Sequence, residues 1–361
     1  MAMTLFIPGP VEVDDEILHE MSRPQIGHRS ASCKELLAAI RPGLKKLFST
    51  DDEVLISTSS GSGFWEAAIR SCVNKRVLHT INGAFSKKWA DVSERCGREV
   101  ERITYDWGKA VKPEDVDKAL SEGKYEAFCM VHNETSTGVA SDLAAISVVM
   151  AKHPDVLWFV DAVSSFAGIS IETKDLGIDF CLASSQKALA LPPGIAVAAV
   201  SGKAFEKAET VEGRGYYFDI LELKKMIEKD QTPYTPSIPH LYALRCQLER
   251  IDKEGLARRY ARHRELAKTT REWIKVQGFS LFSEEGFHSD TVSCIENTKG
   301  VDFAAIKTKM AEKGYAIDTG YRKLNEKLDK EGKNTTFRIP HMGDLTLEGL
   351  RTYLDALESV I

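Results

Sequence analysis

Between residues 53 and 201, six short runs of apolar and β-branched residues alternate with amphipathic stretches. No other feature constrains the fold as much. The runs are EVLIST (53–58), RVLHTIN (76–82), EAFCMVHN (126–133), VLWFVDAV (156–163), DFCLASS (179–185) and IAVAAVS (195–201). Helix-like segments at 64–73, 84–96, 113–121 and 143–152 separate most of them. Near-continuous apolar strands need cover on both faces, and helical crossovers supply it in a mostly parallel sheet. The last two runs are joined only by QKALALPPG, too short for a helical crossover, which favours an antiparallel pair there. The expected fold class is α/β.

Upstream, KELLAAIRPGLKKLF has helical spacing. Beyond residue 203 the pattern loosens through GRGYYF and the Pro/Thr-rich QTPYTPSIP. A long helical stretch then runs from HLYALRCQLERI to HRELAKTTREWIKVQG. After it, strand-like HSDTVSCIE, YAIDTG and NTTFRIPH mix with helical DFAAIKTKMAEKG and LEGLRTYLDALESVI. That texture is α+β. A chain of 361 residues, 43% hydrophobic, is too long for one simple core. The expected organisation is an N-terminal segment (1–20) packed near the site and the small domain, a large α/β domain (21–240) and a smaller C-terminal α+β domain (241–361). No internal repeat or low-complexity segment is present.

Several function classes are excluded by what is missing. The 48 basic and 53 acidic residues give a net charge of −5, with no basic tail or one-sided lysine/arginine run, so no nucleic-acid partner is expected. No apolar stretch approaches the ~20 residues that span a bilayer. The opening MAMTLFIPGPVEVDDEI has no basic n-region and no long apolar run, so no secretory signal is expected. Seven cysteines, an odd number with no CxxC pair, point to a reduced cytoplasmic protein with buried thiols. They do not suggest a disulfide framework or a metal site.

In open α/β sheets ligands sit at the carboxyl ends of the strands, so the residues after each strand carry the functional signal. The first strand is followed by STSSGSGFWEAAIRSCV. Small hydroxyl residues and glycines entering a helix can cradle a phosphate on free backbone N–H groups; the same stretch also reads as an ordinary serine-rich cap. It lacks the Gly-Lys-Ser/Thr of a Walker loop, and Glu66 breaks a GxGxxG. Asp161 ends a very apolar strand, where an acid is costly unless paired. Alone it reads as a structural cap or ion pair. Lys187 lies 26 residues later at another strand end, inside SSQKALALPPG. A lysine, a buried acid and an anion cradle in one crevice fit pyridoxal 5′-phosphate. That cofactor takes a Schiff-base lysine, a carboxylate for its pyridine nitrogen and an anion site for its phosphate.

The chain resembles the class V aminotransferases of the fold type I pyridoxal-phosphate enzymes, most closely the alanine–glyoxylate and serine–glyoxylate (serine–pyruvate) branch. The resemblance covers essentially the whole chain and rests on PGPVEV, GHRS, SSGSGFWEA, HNETSTGV, VDAVSS, SSQKALALPPG, TPYTP…LYALR and FRIPHMG, in family order. It implies a large domain with a mostly parallel seven-stranded sheet and a homodimer with shared active sites. It implies catalytic roles for Lys187, as Schiff-base lysine and proton shuttle, and for Asp161, on the pyridine nitrogen. Val163 would pack on one ring face. Phe85 would stack on the other, where the family often has tryptophan. Ser62, Gly63, Phe64 and Gln186 would hold the phosphate, and Thr135 would lie near the ring hydroxyl. Thr232 and Thr235 would reach the phosphate of the partner's cofactor, with Thr232 standing where some relatives have tyrosine. Arg338 would clamp the substrate α-carboxylate. His28 and Arg29 read either as a cap near the SCKELL helix or as cations at the site mouth.

The reaction implied is a ping-pong transfer of an amino group from serine, alanine or aspartate to glyoxylate or pyruvate. Phosphoserine aminotransferase is the runner-up, with His28, Arg29, Arg322 and His341 as candidate side-chain phosphate ligands. A cysteine desulfurase would carry a histidine before the lysine and a reactive loop cysteine; here Gln186 precedes Lys187. A nucleotide-binding protein without chemistry is weakened by the broken glycine motif and by the lack of an acid at a strand end about 20 residues beyond it.

Overall fold

The computed structural model describes residues 3–361. All six apolar runs form strands, and they join a seventh in one sheet. Its spatial order is Glu53–Ser57, Ala196–Val200, Phe180–Ser184, Leu157–Asp161, Ala127–Val131, Arg76–Ile81, Glu99–Thr104. Only Ala196–Val200 runs against its neighbours, as the short QKALALPPG connection requires. Glu99–Thr104 is the strand that apolar runs do not reveal. It lies at the sheet edge, pairs only with Arg76–Ile81, and its EVERIT alternates charge with partly buried residues. Charged side chains on an exposed edge are the usual guard against edge-to-edge pairing.

The predicted helices form at Gly61–Cys72, Ala84–Arg95, Pro113–Leu120 and Leu143–Met150. Each connects a strand to the next, so the carboxyl ends at Ser57, Ile81, Val131, Asp161 and Ser184 share one edge of the sheet. Leu157–Asp161 sits in the middle with every residue buried, which places Asp161 beneath the centre of that edge.

The buried apolar residues fall into a large cluster around the sheet, a smaller one built mainly from residue 266 onward, and a third of five residues, Val11, Ala188, Ala190, Val292 and Met342. The long helical stretch of the sequence breaks at Gly255 (φ +81°) into Ile238–Glu254 and Leu256–Val276. The first of these helices packs Leu241, Leu244, Leu248 and Ile251 into the large cluster. The second shares the small cluster with a three-stranded antiparallel sheet, Ser280–Leu281, Val292–Glu296 and Thr336–Pro340.

The N-terminal segment touches all three clusters, with Phe6 in the small one, Val11 in the third and Ile17 in the large one. Thr4–Phe6 pairs in parallel with Tyr315–Ile317, and Phe6 stacks flat on Tyr353, centroids 3.6 Å apart. The chain then crosses to the main sheet, where Val11 N–H donates to the Gln186 carbonyl at 3.1 Å. Between these anchors the Pro8-Gly9 turn lies against Lys187. Gly9 has φ +109°, and a Cβ there would stand 2.8 Å from Lys187 Cδ, Cε and Nζ, so only glycine lets the backbone approach this closely.

Candidate active site

Residues from five strand ends converge on one cavity of about 90 Å³. It is lined by Ser60, Gly61, Ser62, Trp65, Phe85, Val131, Asn133, Thr135, Asp161, Val163, Ser164, Ser184, Gln186 and Lys187. Seven of the residues picked out by sequence therefore meet here: Ser62, Phe85, Thr135, Asp161, Val163, Gln186 and Lys187.

Lys187 is 8% exposed, and its ammonium donates to the Pro8 carbonyl. Burial, reinforced by the nearby Arg338 charge, pulls its pKa down to about 7; the carboxylates of Asp161, Asp318 and Glu134 oppose that shift. A lysine in this state has a sizeable neutral fraction at physiological pH and is a competent nucleophile and base. Asp161 is buried, and its pKa is pushed up to about 6 by that burial. Two donors hold its charge: Val163 N–H reaches Oδ1 at 2.7 Å and the Trp65 indole N–H reaches Oδ2 at 2.7 Å.

The opposite end of the cavity is built from the first turn of Gly61–Cys72. No side chain caps this helix, although Ser60, Gly61 and Ser62 line the cavity. An uncapped 12-residue helix presents free N–H groups and the positive end of its dipole. A Cβ at Gly61 would fall 2.8 Å from Val163 Cγ2 and 3.4 Å from Ser184 Oγ, so glycine keeps that end open. Two further residues stand here from the strand-end loops. Ser184 Oγ and Asn133 Oδ1 are buried polar atoms without a hydrogen-bond partner. Groups of this kind cost free energy unless something polar fills the space beside them. The donor set fits pyridoxal phosphate: an anion end, a carboxylate for a ring nitrogen, unfilled polar partners between, and a lysine of lowered pKa.

The walls are set by Glu134. This fully buried carboxylate accepts from the backbone N–H groups of Phe85 and Ser86 at 3.0 Å each, and from Ser136 Oγ at 2.7 Å. It thereby caps Ala84–Arg95 and fixes Phe85 at the mouth, where the Phe85 and Tyr321 rings lie 6.2 Å apart. Lys88 sits over both rings.

Other candidates fall elsewhere. The Phe64 side chain points into the core against Phe180, and Gly63 faces Ser59 and Phe218 and gives its N–H to the Ser60 carbonyl at 2.9 Å, so neither lines the cavity. Arg338 is fully engaged on one edge: Nε and Nη2 donate to the two oxygens of Asp318, 2.8 Å each, and Nη1 donates to the Thr135 carbonyl at 3.0 Å. Arg29 holds the loop after residue 230 through the Thr232 and Pro233 carbonyls. Thr232 donates to the Tyr234 carbonyl, and exposed Thr235 lines a separate cleft with Tyr217 and Tyr234. His28 is part-buried beside Arg29 and does not line the cavity. Arg322 is exposed on its helix, and His341 is sealed behind Ser293, so the four candidate phosphate ligands do not converge within one chain.

Trp65, Asn133, Ser184, Glu134 and Asp318 are the site residues that sequence reasoning passed over. Asn133, Glu134 and Trp65 sit within motifs already recognised, and the strand-end rule applied residue by residue reaches Asn133 and Ser184. Nothing in the sequence marks Asp318 as the partner of Arg338.

The profile of the family "Aminotransferase class-V" matches residues 14–347. The chain is 35% identical to serine–glyoxylate aminotransferase of Methylorubrum extorquens, over 94% of this chain and 86% of the relative. It is 34% identical to L-aspartate–glyoxylate aminotransferase of Paracoccus denitrificans, over 96% and 89%. The solved structure of alanine–glyoxylate aminotransferase from Nostoc sp. superimposes with a TM-score of 0.92 at 26% identity, covering 100% of this chain and 95% of the other.

Proposed function

The chain belongs to the class V aminotransferases and is a pyridoxal-phosphate-dependent transaminase; on that premise we propose that it moves the amino group of serine, alanine or aspartate to glyoxylate or pyruvate. The observation that carries this reading is the convergence of Lys187, Asp161 and an uncapped helix N-terminus on one cavity. The three relatives above differ in their named donor, while each name includes glyoxylate. Glyoxylate is therefore the preferred acceptor in this reading.

When bound, pyridoxal phosphate supplies the electron sink that accepts the electron pair of the substrate Cα–H bond. The rest is the work of the chain. Asp161 keeps a negative charge where the ring nitrogen must stay protonated. The first turn of Gly61–Cys72, with Ser62 and Gln186, would hold the phosphate; Val163 and Phe85 would hold the ring between them, and Thr135 would offer its hydroxyl to the ring's polar edge. Lys187 Nζ takes the proton from Cα and returns it on the far side of the transfer, which its pKa near 7 permits.

Arg338 receives the substrate α-carboxylate. A guanidinium has five N–H groups. Asp318 and Thr135 occupy three, which leaves one on Nη1 and one on Nη2, an end-on pair suited to a carboxylate. The homodimer belongs to this proposal: Thr232, Thr235, His28 and Arg29 lie away from their own cavity and would complete the partner's. So does the division into a segment at 1–20, a large domain at 21–240 and a small one at 241–361, except that helix Ile238–Glu254 packs into the large cluster, which draws the second boundary toward Gly255. Among the described residues no helix is long and apolar enough to cross a membrane. All seven cysteines are free, in keeping with a reducing, cytoplasmic setting.

Desulfurase chemistry finds no thiol. No cysteine lines the cavity, and burial pushes every thiol pKa upward. The direct test is steady-state kinetics with serine, alanine, aspartate and phosphoserine as donors against glyoxylate, pyruvate and 2-oxoglutarate. The highest kcat/KM is expected for a small donor with glyoxylate. A clear preference for phosphoserine with 2-oxoglutarate would overturn the assignment.

A further inference from the structure

We propose that Trp65 is a positioning residue for the cofactor: its indole N–H fixes the Asp161 carboxylate so that the ring nitrogen meets an oriented, charged acceptor. The inference rests on the reading that Asp161 serves the ring nitrogen.

The contact is buried and short. Trp65 Nε1 lies 2.7 Å from Asp161 Oδ2, and both residues line the cavity. Val163 N–H holds the other oxygen at the same distance. With one donor on each oxygen, the carboxylate plane cannot rotate. Each oxygen accepts two hydrogen bonds, so each keeps one lone pair for a group entering the cavity. Donation to the ionised form also favours that form in a buried setting that otherwise disfavours it.

Trp65 is itself braced. Its ring stacks on Trp89, centroids 6.1 Å apart and 15° between planes, and Trp89 Nε1 donates to the Trp65 carbonyl. His79 meets Trp89 edge-on, and His79 in turn bonds Ser93 at 2.9 Å. A mere need to satisfy a buried indole does not account for the arrangement, because the buried Trp158 and Trp273 indole nitrogens have no partner in the same chain.

Trp65 also belongs to the helix whose first turn forms the anion end of the cavity. Ser62 and Trp65 are three residues apart, one helical turn. A single rigid element therefore registers both ends of the cofactor, its N-terminal N–H groups at the phosphate and the indole, through Asp161, at the ring nitrogen. Strand ends on separate loops would not fix that spacing.

The test compares binding of pyridoxal phosphate with binding of 1-deazapyridoxal phosphate, in which a C–H replaces the ring nitrogen, to the apoprotein. Trp65→Phe keeps an aromatic ring and removes the donor. It should raise the Kd for pyridoxal phosphate about tenfold and leave the Kd for the deaza analogue within twofold. Asp161→Asn should show the same selectivity, more strongly. If Asp161→Asn does not discriminate between the ligands, the parent reading fails. If it does and Trp65→Phe weakens both ligands equally, or neither, the indole is structural only and the inference fails. Should Trp65→Phe not fold, Trp65→His, which retains an N–H donor, is judged on the same ratio: discrimination close to wild type supports the proposal and its loss overturns it.

Discussion

A carboxylate and a cation line the floor of the cavity, and another such pair stands outside its lining, joined to it through the Thr135 carbonyl and forming a rim; the two pairs are built in opposite ways. At the rim Arg338 and Asp318 face each other through two 2.8 Å hydrogen bonds, each satisfying the other. At the floor Asp161 and Lys187 are not bonded to each other: Asp161 takes its donors from Trp65 and Val163, and Lys187 donates to a backbone carbonyl. Both floor groups are pushed toward neutrality, to about 6 and about 7. The difference separates two uses of buried charge. At the rim the ligand-holding cation sits in an ion pair. At the floor Asp161 is held ionised by two neutral donors, and Lys187, the group that must exchange a proton, has no carboxylate bonded to it.

Breaking the floor should cost the most. Lys187→Ala removes both nucleophile and base, and transamination should fall by at least about 10³-fold, on the scale of general-base catalysis. Single-turnover assays with the reconstituted protein measure it. Residual activity near wild type would mean that another group moves the proton.

The rim should respond in binding. Arg338→Ala should raise the KM for the amino donor about 10- to 100-fold, and cofactor colour should survive. It also strands Asp318, so stability should fall by about 3 kcal/mol, as when one partner of a buried pair is removed. Adding Asp318→Ala should recover most of that stability without recovering KM. Denaturant melts and steady-state kinetics on the single and double variants separate the two effects. An unchanged KM in Arg338→Ala would reject the carboxylate role.

A smaller effect distinguishes the pairs by pH. The folded pKa of Lys187 is lowered, so the unfolded chain binds more protons between about pH 7 and 10.5, and stability gained from this group rises across that window. The folded pKa of Asp161 is raised, so its contribution declines as pH rises from about 4 to 6. Both floor groups thus destabilise the apoprotein most between pH 6 and 7. Lys187→Met should raise the apoprotein Tm at pH 6.5 and raise it less at pH 10. A gain equal at both pH values would contradict the depressed pKa.

The smallest change should follow Arg29→Ala. Its bonds to the Thr232 and Pro233 carbonyls are exposed or only partly buried, so global stability should shift by about 1 kcal/mol or less. Proteolysis between residues 213 and 235 should nonetheless quicken.

The floor was legible in the sequence and the rim was not, for physical reasons. Strand ends carry the chemistry of an open sheet, and Asp161, Lys187 and the glycine-serine turn are each unusual where they stand. The edge strand Glu99–Thr104 escaped because its charges hide the apolar pattern. Arg338 could be read as a carboxylate clamp, whereas its engagement by Asp318 is a contact between Thr336–Pro340 and the turn after Tyr315–Ile317 that no local pattern encodes. Gly63 and Phe64 were expected in the phosphate cradle; in the fold the Gly63 N–H is spent on the Ser60 carbonyl and the Phe64 side chain turns into the core, contacts that the glycine-serine spacing does not encode.

The central claim is that Lys187 is the residue that bonds the cofactor. Borohydride reduction of the cofactor-loaded protein, followed by peptide mapping by mass spectrometry, tests it most directly. The account predicts a pyridoxyl group on the peptide containing Lys187 and loss of that label in Lys187→Ala. A label on another lysine, or a protein that stays colourless and unlabelled with added cofactor, would contradict it.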